Sequence, residues 1–330
     1  MRESRIKPIV LSAFLVLFLL LPKFLESYWI YVLTITLYYI VLATSWNLLA
    51  GITGQFSLAH HAFALIGAYI SSLVVIHSGI PIWMGVVIAL LATLLISMLL
   101  GILCLRMRGI YLALATWAFA EVVRAYLRMN YKFTGGDRGL ETPTFFDTLQ
   151  PIPYYYLFLG LALLTITIIA VLMHTRIGYY LRAIRNDQIA AQALGVDIVR
   201  WKVFAFVLAS GIAGLAGAFY AHSVSLVSPV LGEFTEIAMI IILVVIGGMR
   251  SQAGPVIGAI TVRYLSEVFR EWPELRMLLL AVMVMLIIRF FNGGIMQFLK
   301  IMYKKITEKS KLFQPDITKN SSSISEHRDD

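Results

Sequence analysis

Uncharged apolar stretches of about 20 residues recur along this chain, the length at which an α-helix crosses the hydrocarbon of a bilayer. Residues 82–104 carry no charged side chain at all, and several other stretches come close. Lipid offers backbone amides and carbonyls no partners, so such stretches satisfy themselves as helices. Turn signals divide the sequence into ten candidate segments: 8–25, 28–50, 57–77, 81–105, 110–128, 154–173, 203–222, 233–249, 253–270 and 274–291. With 60% of its 330 residues hydrophobic and 14% charged, the chain has far more apolar surface than a soluble core can use. The expected fold class is all-α, a polytopic integral membrane protein of about ten transmembrane or partly re-entrant helices.

At the N-terminus Arg2, Arg5 and Lys7 precede an apolar stretch from Ile9 to Leu21, the layout of a signal peptide. Bulky Pro22-Lys-Phe-Leu25 stands where a small-residue cleavage site is needed, so the stretch reads as a retained first span that begins in the cytoplasm. An even number of spans then places both termini on that side. Under this topology 19 Lys and Arg face the cytoplasm against seven outside, as the positive-inside rule requires. The net charge of +9 is thus chiefly a topology signal, with a basic tail (Lys300, Lys304, Lys305, Lys309, Lys311) suited to anionic lipid and not to nucleic acid. Residues 1–299 are expected to form the membrane domain and 300–330 a basic to polar, disordered cytoplasmic tail.

One polar island interrupts the apolar pattern, the loop 174–202. Within it Asn186 reads as an N-cap, Asp187 as a first-turn acid, Gln188, Ile189, Ala190, Ala191, Gln192, Ala193 and Leu194 as a helical body, and Gly195 as a left-handed stop. A helix of about eight residues, about 12 Å long, spans nothing. It is the shape of a docking element gripped by a soluble partner.

Candidate chemistry in the spans is sparse. The segment 57–77 follows Gly51-Ile-Thr-Gly-Gln-Phe-Ser57 and carries Gly67, Ser71 and Ser72, which reads either as a broken or re-entrant helix or as a span after a tight turn. Irregular backbone at membrane depth is tolerated where protein or a water-filled cavity satisfies it. Asn47, Gly51, Gly54, Gln55, Ser57 and His60 are therefore the candidate lining of a pathway. Adjacent His60 and His61 point about 100° apart on a helix and cannot chelate one ion from one face. Glu121 with Arg124, and Arg263 with Glu267, have helical ion-pair spacing, which reads as pairs holding helices together in preference to substrate contacts. Gly211, Gly214, Gly217, Gly254 and Gly258 allow close helix approach, within the chain or against a second subunit, and Pro255 can open a helix. Lone Cys104 excludes an intrachain disulfide and reads as a small packed side chain. The chain holds no Gly-x-x-x-x-Gly-Lys-[Ser/Thr] loop, and nothing in it asks for a cofactor or a metal.

Five runs in order resemble LivM-type permease subunits of branched-chain amino acid ABC importers. They are Trp46-Asn-Leu-Leu-Ala-Gly-Ile-Thr-Gly-Gln-Phe-Ser-Leu-Ala-His-His-Ala-Phe63, Thr134-Gly-Gly-Asp-Arg-Gly-Leu140, Arg182 to Gly195, Ala213-Gly-Leu-Ala-Gly-Ala-Phe-Tyr220 and Val245 to Gly258. The resemblance implies a subunit that pairs with a second, similar permease, two cytoplasmic ATPases and an extracytoplasmic binding protein, in a bacterial or archaeal plasma membrane. It also implies that residues 186–195 are the coupling helix, with Gly195 as the glycine of the Ala-Ala-x-x-x-Gly pattern. Ile189 departs from the acidic residue that many ABC permeases carry there. Gly135, Gly136, Asp137, Arg138 and Gly139 lie in an expected external loop without the lysine of a phosphate loop, and read as a flexible element touching the binding protein. Urea or short-chain amide permeases look similar, and an ion-coupled secondary transporter is the alternative from another class. No nucleophile with a matching base appears, so an intramembrane enzyme is disfavoured.

Overall fold

The computed structural model describes residues 18–104, 106–107, 109–146, 148, 150–249, 251–290, 293–297 and 302. Of the expected first span, 8–25, only the end is described. Phe18–Leu20 are helical and Leu21–Lys23 form a 3₁₀ turn, held by Tyr155 Oη donating to the Phe18 carbonyl at 2.8 Å. The rest of that span and the expected tail, Met302 apart, lie outside the described residues.

The apolar segments become helices where expected. Helix α1 is Ser27–Asn47, continued by a π-helical turn, Leu48–Thr53; α2 is His60–Ser78, α3 Ile82–Cys104, α4 Ile110–Met129 and α5 Ile152–His174. The polar island follows as α6 (Arg176–Asn186) and α7 (Gln188–Ala193). Then come α8 (Ile198–Val224), α9 (Phe234–Gly247), α10 (Gly254–Val268) and α11 (Pro273–Phe290). Among the described residues six helices are long and apolar enough to cross a membrane: α1 with its π turn, α2, α3, α4, α5 and α8. Local chemistry sets several ends. Gly79 (φ 62°) closes α2, Pro151 precedes α5, and Asp197 Oδ1 caps α8 by accepting from Arg200 N at 3.0 Å.

Helix α9 is 14 residues long, about 21 Å, shorter than the hydrocarbon core of about 30 Å. It folds back on α10 as a hairpin so tight that a Cβ on Gly258 would lie 1.9 Å from the Leu243 carbonyl. Close approach also governs the centre of the bundle. A Cβ on Gly67 of α2 would sit 2.0 Å from Gly214 O of α8, and one on Gly217 would sit 1.9 Å from Ala64 O. Gly211 meets Leu94 of α3. The small-residue stripes thus serve packing inside this chain, as van der Waals fit in lipid demands. Trp46, Phe63, Phe158 and Phe206 fill the core beside them.

Helices α1 and α8 are related in a way the segment list does not convey. Each forms a rod of 27 residues. The rods run in opposite directions, since the end of α1 and the start of α8 meet at one pole, where Gln55 Nε2 donates to Lys202 O at 3.3 Å. Each rod leads through a link, 54–59 or 225–233, into a shorter helix that starts inside the protein. Gly54-Gln-Phe-Ser57 in the first link resembles Gly232-Glu-Phe-Thr235, which runs from the end of the second link into α9. His61 Nε2 lies 3.1 Å from Gly232 O, so the starts of α2 and α9 meet in the interior.

Candidate functional site

Segment 57–77 begins as irregular backbone and becomes one continuous helix from His60 to Ser78. His60 begins α2 at the level of Ser45, whose Oγ is 2.9 Å from His60 Nε2. Ser45 lies about 12 Å inside the π-turn end of the α1 rod, so residues 54–59 are irregular backbone at depth. Their polar groups find protein partners, as lipid requires. Trp46 Nε1 donates to Ser57 O at 2.8 Å, Leu58 N donates to Thr116 Oγ1 at 3.0 Å, and Ala59 N donates to Ser57 Oγ at 3.3 Å. Of the candidate lining residues, Asn47, Gly51, Gln55, Ser57 and His60 are buried, while Gly54 is exposed beside Arg185. Asn47 Nδ2 donates to Ser251 O at 3.0 Å and ties this segment to the α9–α10 turn. The carboxamide oxygens of Asn47 and Gln55 and Nδ1 of both His60 and His61 have no protein partner.

The polar island differs from its expected form in detail. Asn186 ends α6 and does not cap the next helix. The cap is Asp187, whose backbone is extended (φ −156°) and whose Oδ1 accepts from Ile189 N at 2.8 Å and Ala190 N at 3.1 Å. Helix α7 then runs only six residues before Gly195 (φ 82°) closes it, with Gly195 N donating to Gln192 O and Val196 N to Ala191 O, the Schellman pair. Ala191 is buried, while Ile189 and Leu194 are 71% and 84% exposed, an apolar pair projecting from a polar surface. Beneath α7 lies α6, whose buried Gly178, Leu181 and Ile184 seat it on the bundle. Their i, i+3, i+6 spacing was a legible helical signal that the sequence reading passed over. Arg182 Nη2 donates to Met173 O at 2.8 Å, Arg185 donates to Gly51 O, and Lys202 Nζ donates to Gln188 Oε1 at 3.3 Å. Side-chain bonds therefore run from α6 and α7 to the π turn and the link that precedes α2.

At the opposite pole residues 135–139 form a glycine turn. Gly135, Gly136 and Gly139 have φ of 72°, 54° and 81°, so the turn belongs to glycine. Arg128 Nε donates to Asp137 Oδ1 at 2.6 Å, and Leu140–Glu141 pairs antiparallel with Leu226–Val227. Nearby, a cavity of about 210 Å³ is lined by Tyr31, Thr34, Thr144, Tyr154, Phe158, Tyr220 and Ser223 among others, hydroxyls and apolar groups without a charge.

The intramembrane charges sort differently from their spacing. Arg124 Nη2 donates to Glu121 Oε2 at 2.7 Å within α4, and its Nη1 also approaches Glu233 Oε1 at 3.9 Å. Arg263 and Glu267 take other partners. The Arg263 guanidinium lies 5.1 Å from the Tyr39 ring centroid, whereas Glu267 pairs with Arg270 at 3.7 Å. Glu236 accepts from Tyr39 Oη at 2.8 Å. Neither Glu233 nor Glu236 was singled out from the sequence, although the repeated Gly-[Gln/Glu]-Phe-[Ser/Thr] signature marks the first. His60 and His61 point to Ser45 and Gly232, in separate directions. Among the described residues no three His, Cys, Asp or Glu side chains cluster as metal ligands.

Residues 28–288 match the family of branched-chain amino acid transport system / permease components. The chain is similar to the high-affinity branched-chain amino acid transport system permease protein LivM of Escherichia coli, 32% identical over 314 residues that cover 87% of this chain and 74% of that protein. It is also similar to the high-affinity permease protein LivH of Salmonella typhimurium, 24% identical over 75% of this chain and 89% of that one. A probable LivM of Methanocaldococcus jannaschii is 24% identical over half of each chain. No solved structure matches.

Proposed function

This chain belongs to the family of branched-chain amino acid transport permease components, and from that premise we propose that it is one of two permease subunits of an ATP-driven importer. A second permease of the LivH kind completes the membrane unit, two cytoplasmic ATPases energise it, and an extracytoplasmic binding protein delivers the amino acid. The unit sits in a bacterial or archaeal plasma membrane with both termini of this chain in the cytoplasm, residues 1–299 forming the permease domain and 300–330 a cytoplasmic tail. The chain itself carries no phosphate loop, so ATP binds to the partners.

The observation that carries this reading is the capped helix α7, standing clear of the bundle with Ile189 and Leu194 exposed. Asn186 to Gly195 form the ATPase coupling element. ATP-driven motion of the partners pushes α7, and the bonds of Arg185 to Gly51 and of Gln55 to Lys202 pass the displacement to the π turn and the irregular link. Asn47, Gly51, Gly54, Gln55, Ser57 and His60 then act as the cytoplasmic closure of the pathway, opening as the complex alternates between two packed states. Gly135 to Gly139, with Asp137 paired to Arg128, receive the binding protein. Proteoliposomes holding both permeases and the ATPases, with the binding protein outside and ATP inside, test this. Leucine uptake competed by isoleucine and valine but not by urea is expected. Uptake of urea without leucine transport would move the substrate to the amide branch.

A further inference from the structure

Helix α4 is the least covered of the spans that hold charge. Only 28% of its apolar window is buried, yet Glu121 and Arg124 lie in its central turns. Their side chains are 33% and 22% exposed, and that of Glu233, brought in at the start of α9, is 39% exposed. Charges at that depth are costly in lipid and face protein or water. Among the described residues nothing seals this cluster, and a charged face of this kind suits an aqueous path or the surface opposite a partner. With Arg128 and Asp137 next along the face, three carboxylates stand against two guanidiniums. Glu121 takes the close contacts of Arg124, at 2.7 and 3.1 Å, which leaves Glu233 at 3.9 Å with acceptor capacity to spare.

An exposed aromatic pair adjoins the cluster. Trp117, one turn from Glu121 on the same helix face, meets Phe234 edge to face with centroids 6.2 Å apart, and the two residues are 40% and 51% exposed. The same face continues outward to Arg128 and its partner Asp137, in the glycine turn at the outer pole. Polar and charged groups thus line one route from that turn to mid-span.

We infer that Glu121, Arg124 and Glu233, with Trp117 and Phe234, form the site where the permease receives an aliphatic α-amino acid as its zwitterion. Arg124 takes the carboxylate, the Glu233 and Glu121 carboxylates take the ammonium, and the aromatic pair takes the branched side chain. Urea offers neither the two charges nor the aliphatic group. The inference rests on the import of branched-chain amino acids proposed above and assigns it a place within the membrane.

The test uses the whole complex in proteoliposomes with its binding protein and ATP. A diazirine analogue of leucine, activated by light during turnover, is expected to label the peptides that hold Trp117 and Phe234. Glu233→Gln is expected to lower maximal leucine uptake at least about tenfold, the worth of one charged contact, at unchanged half-saturation, because the binding protein sets that. The exchange of Glu121→Arg with Arg124→Glu keeps an ion pair on α4 but moves the charges. Complex yield should stay while uptake falls, whereas a purely structural pair would leave uptake intact. If the exchange prevents assembly, Glu233→Gln and the labelling decide. Leucine uptake with labelling confined to other peptides, or with Glu233→Gln at the wild-type rate, overturns the site. Labelling here without any uptake would keep the site and refute import.

Discussion

Asp187→Ala is the perturbation whose effect follows most directly from the geometry of α7. Asp187 Oδ1 accepts from two amides, Ile189 N and Ala190 N, at 2.8 and 3.1 Å. Those are orphan donors at the start of a helix of only six residues, and so short a segment does not hold itself together by propensity. Loss of an N-cap costs about 1 kcal/mol, enough to shift the balance of formed and frayed α7 about fivefold. The chain buries little of α7, chiefly Ala191, so no packing term offsets the loss. Complex assembly, which depends on the spans, should be unchanged. The amount of leucine transported per ATP hydrolysed should fall, by at most about fivefold, if force passes only through the formed helix. Asp187→Asn retains the acceptor and should restore most of the coupling, because asparagine caps as well as aspartate. Coupling in Asp187→Ala equal to wild type would refute the argument. Asn failing as completely as Ala would show that the charge, not the cap, matters.

Gly195→Arg should leave a complex that assembles and hydrolyses ATP without driving uptake, since a side chain at φ 82° strains the Schellman turn and sits where the ATPase is proposed to grip; purification yield and uptake measured together check it. Gly217→Val should prevent assembly outright, because its Cβ would fall 1.9 Å from the Ala64 carbonyl, and detergent-stable complex yield reports that. Trp46→Phe removes the donor to the buried Ser57 carbonyl, at a cost of about 1–3 kcal/mol; the thermal midpoint of the purified complex should drop, with a shift near zero counting against the claim that the link 54–59 depends on this bond.

Much of this molecule was legible in its sequence because the membrane leaves few alternatives. Segments 81–105, 110–128 and 154–173 differ from α3, α4 and α5 by a few residues at most, since apolar length and turn residues fix both ends. Longer errors arose where a helix continues through polar surroundings. Segment 203–222 became Ile198–Val224 because Asp197 caps a helix that begins before its apolar part. Residues 176–186, part of the polar loop 174–202, form a helix of their own, seated by three small or apolar positions. The long-range partners were not legible. Spacing made Arg263 a mate for Glu267 on the same helix, but a side chain in a bundle chooses among neighbours from every packed helix, and the Arg263 guanidinium lies over Tyr39 of α1. Likewise Gly54-Gln-Phe-Ser57 and Gly232-Glu-Phe-Thr235 resemble each other in plain view, yet only the fold shows that the two links, 54–59 and 225–233, bring the starts of α2 and α9 together. In the glycine turn 135–139 the composition shows the glycines, but only the fold shows their positive φ values and the pairing of Asp137 with Arg128.

The central claim is that ATP hydrolysed on partner subunits, and not an ion gradient, moves substrate through this permease. Leucine uptake and ATP hydrolysis measured in the same proteoliposomes, with and without a protonophore and with an ATPase subunit inactivated, tests it most directly. Uptake that persists with the protonophore and vanishes with the inactive ATPase is the predicted result. Uptake that survives loss of ATP hydrolysis and collapses with the gradient would contradict the account.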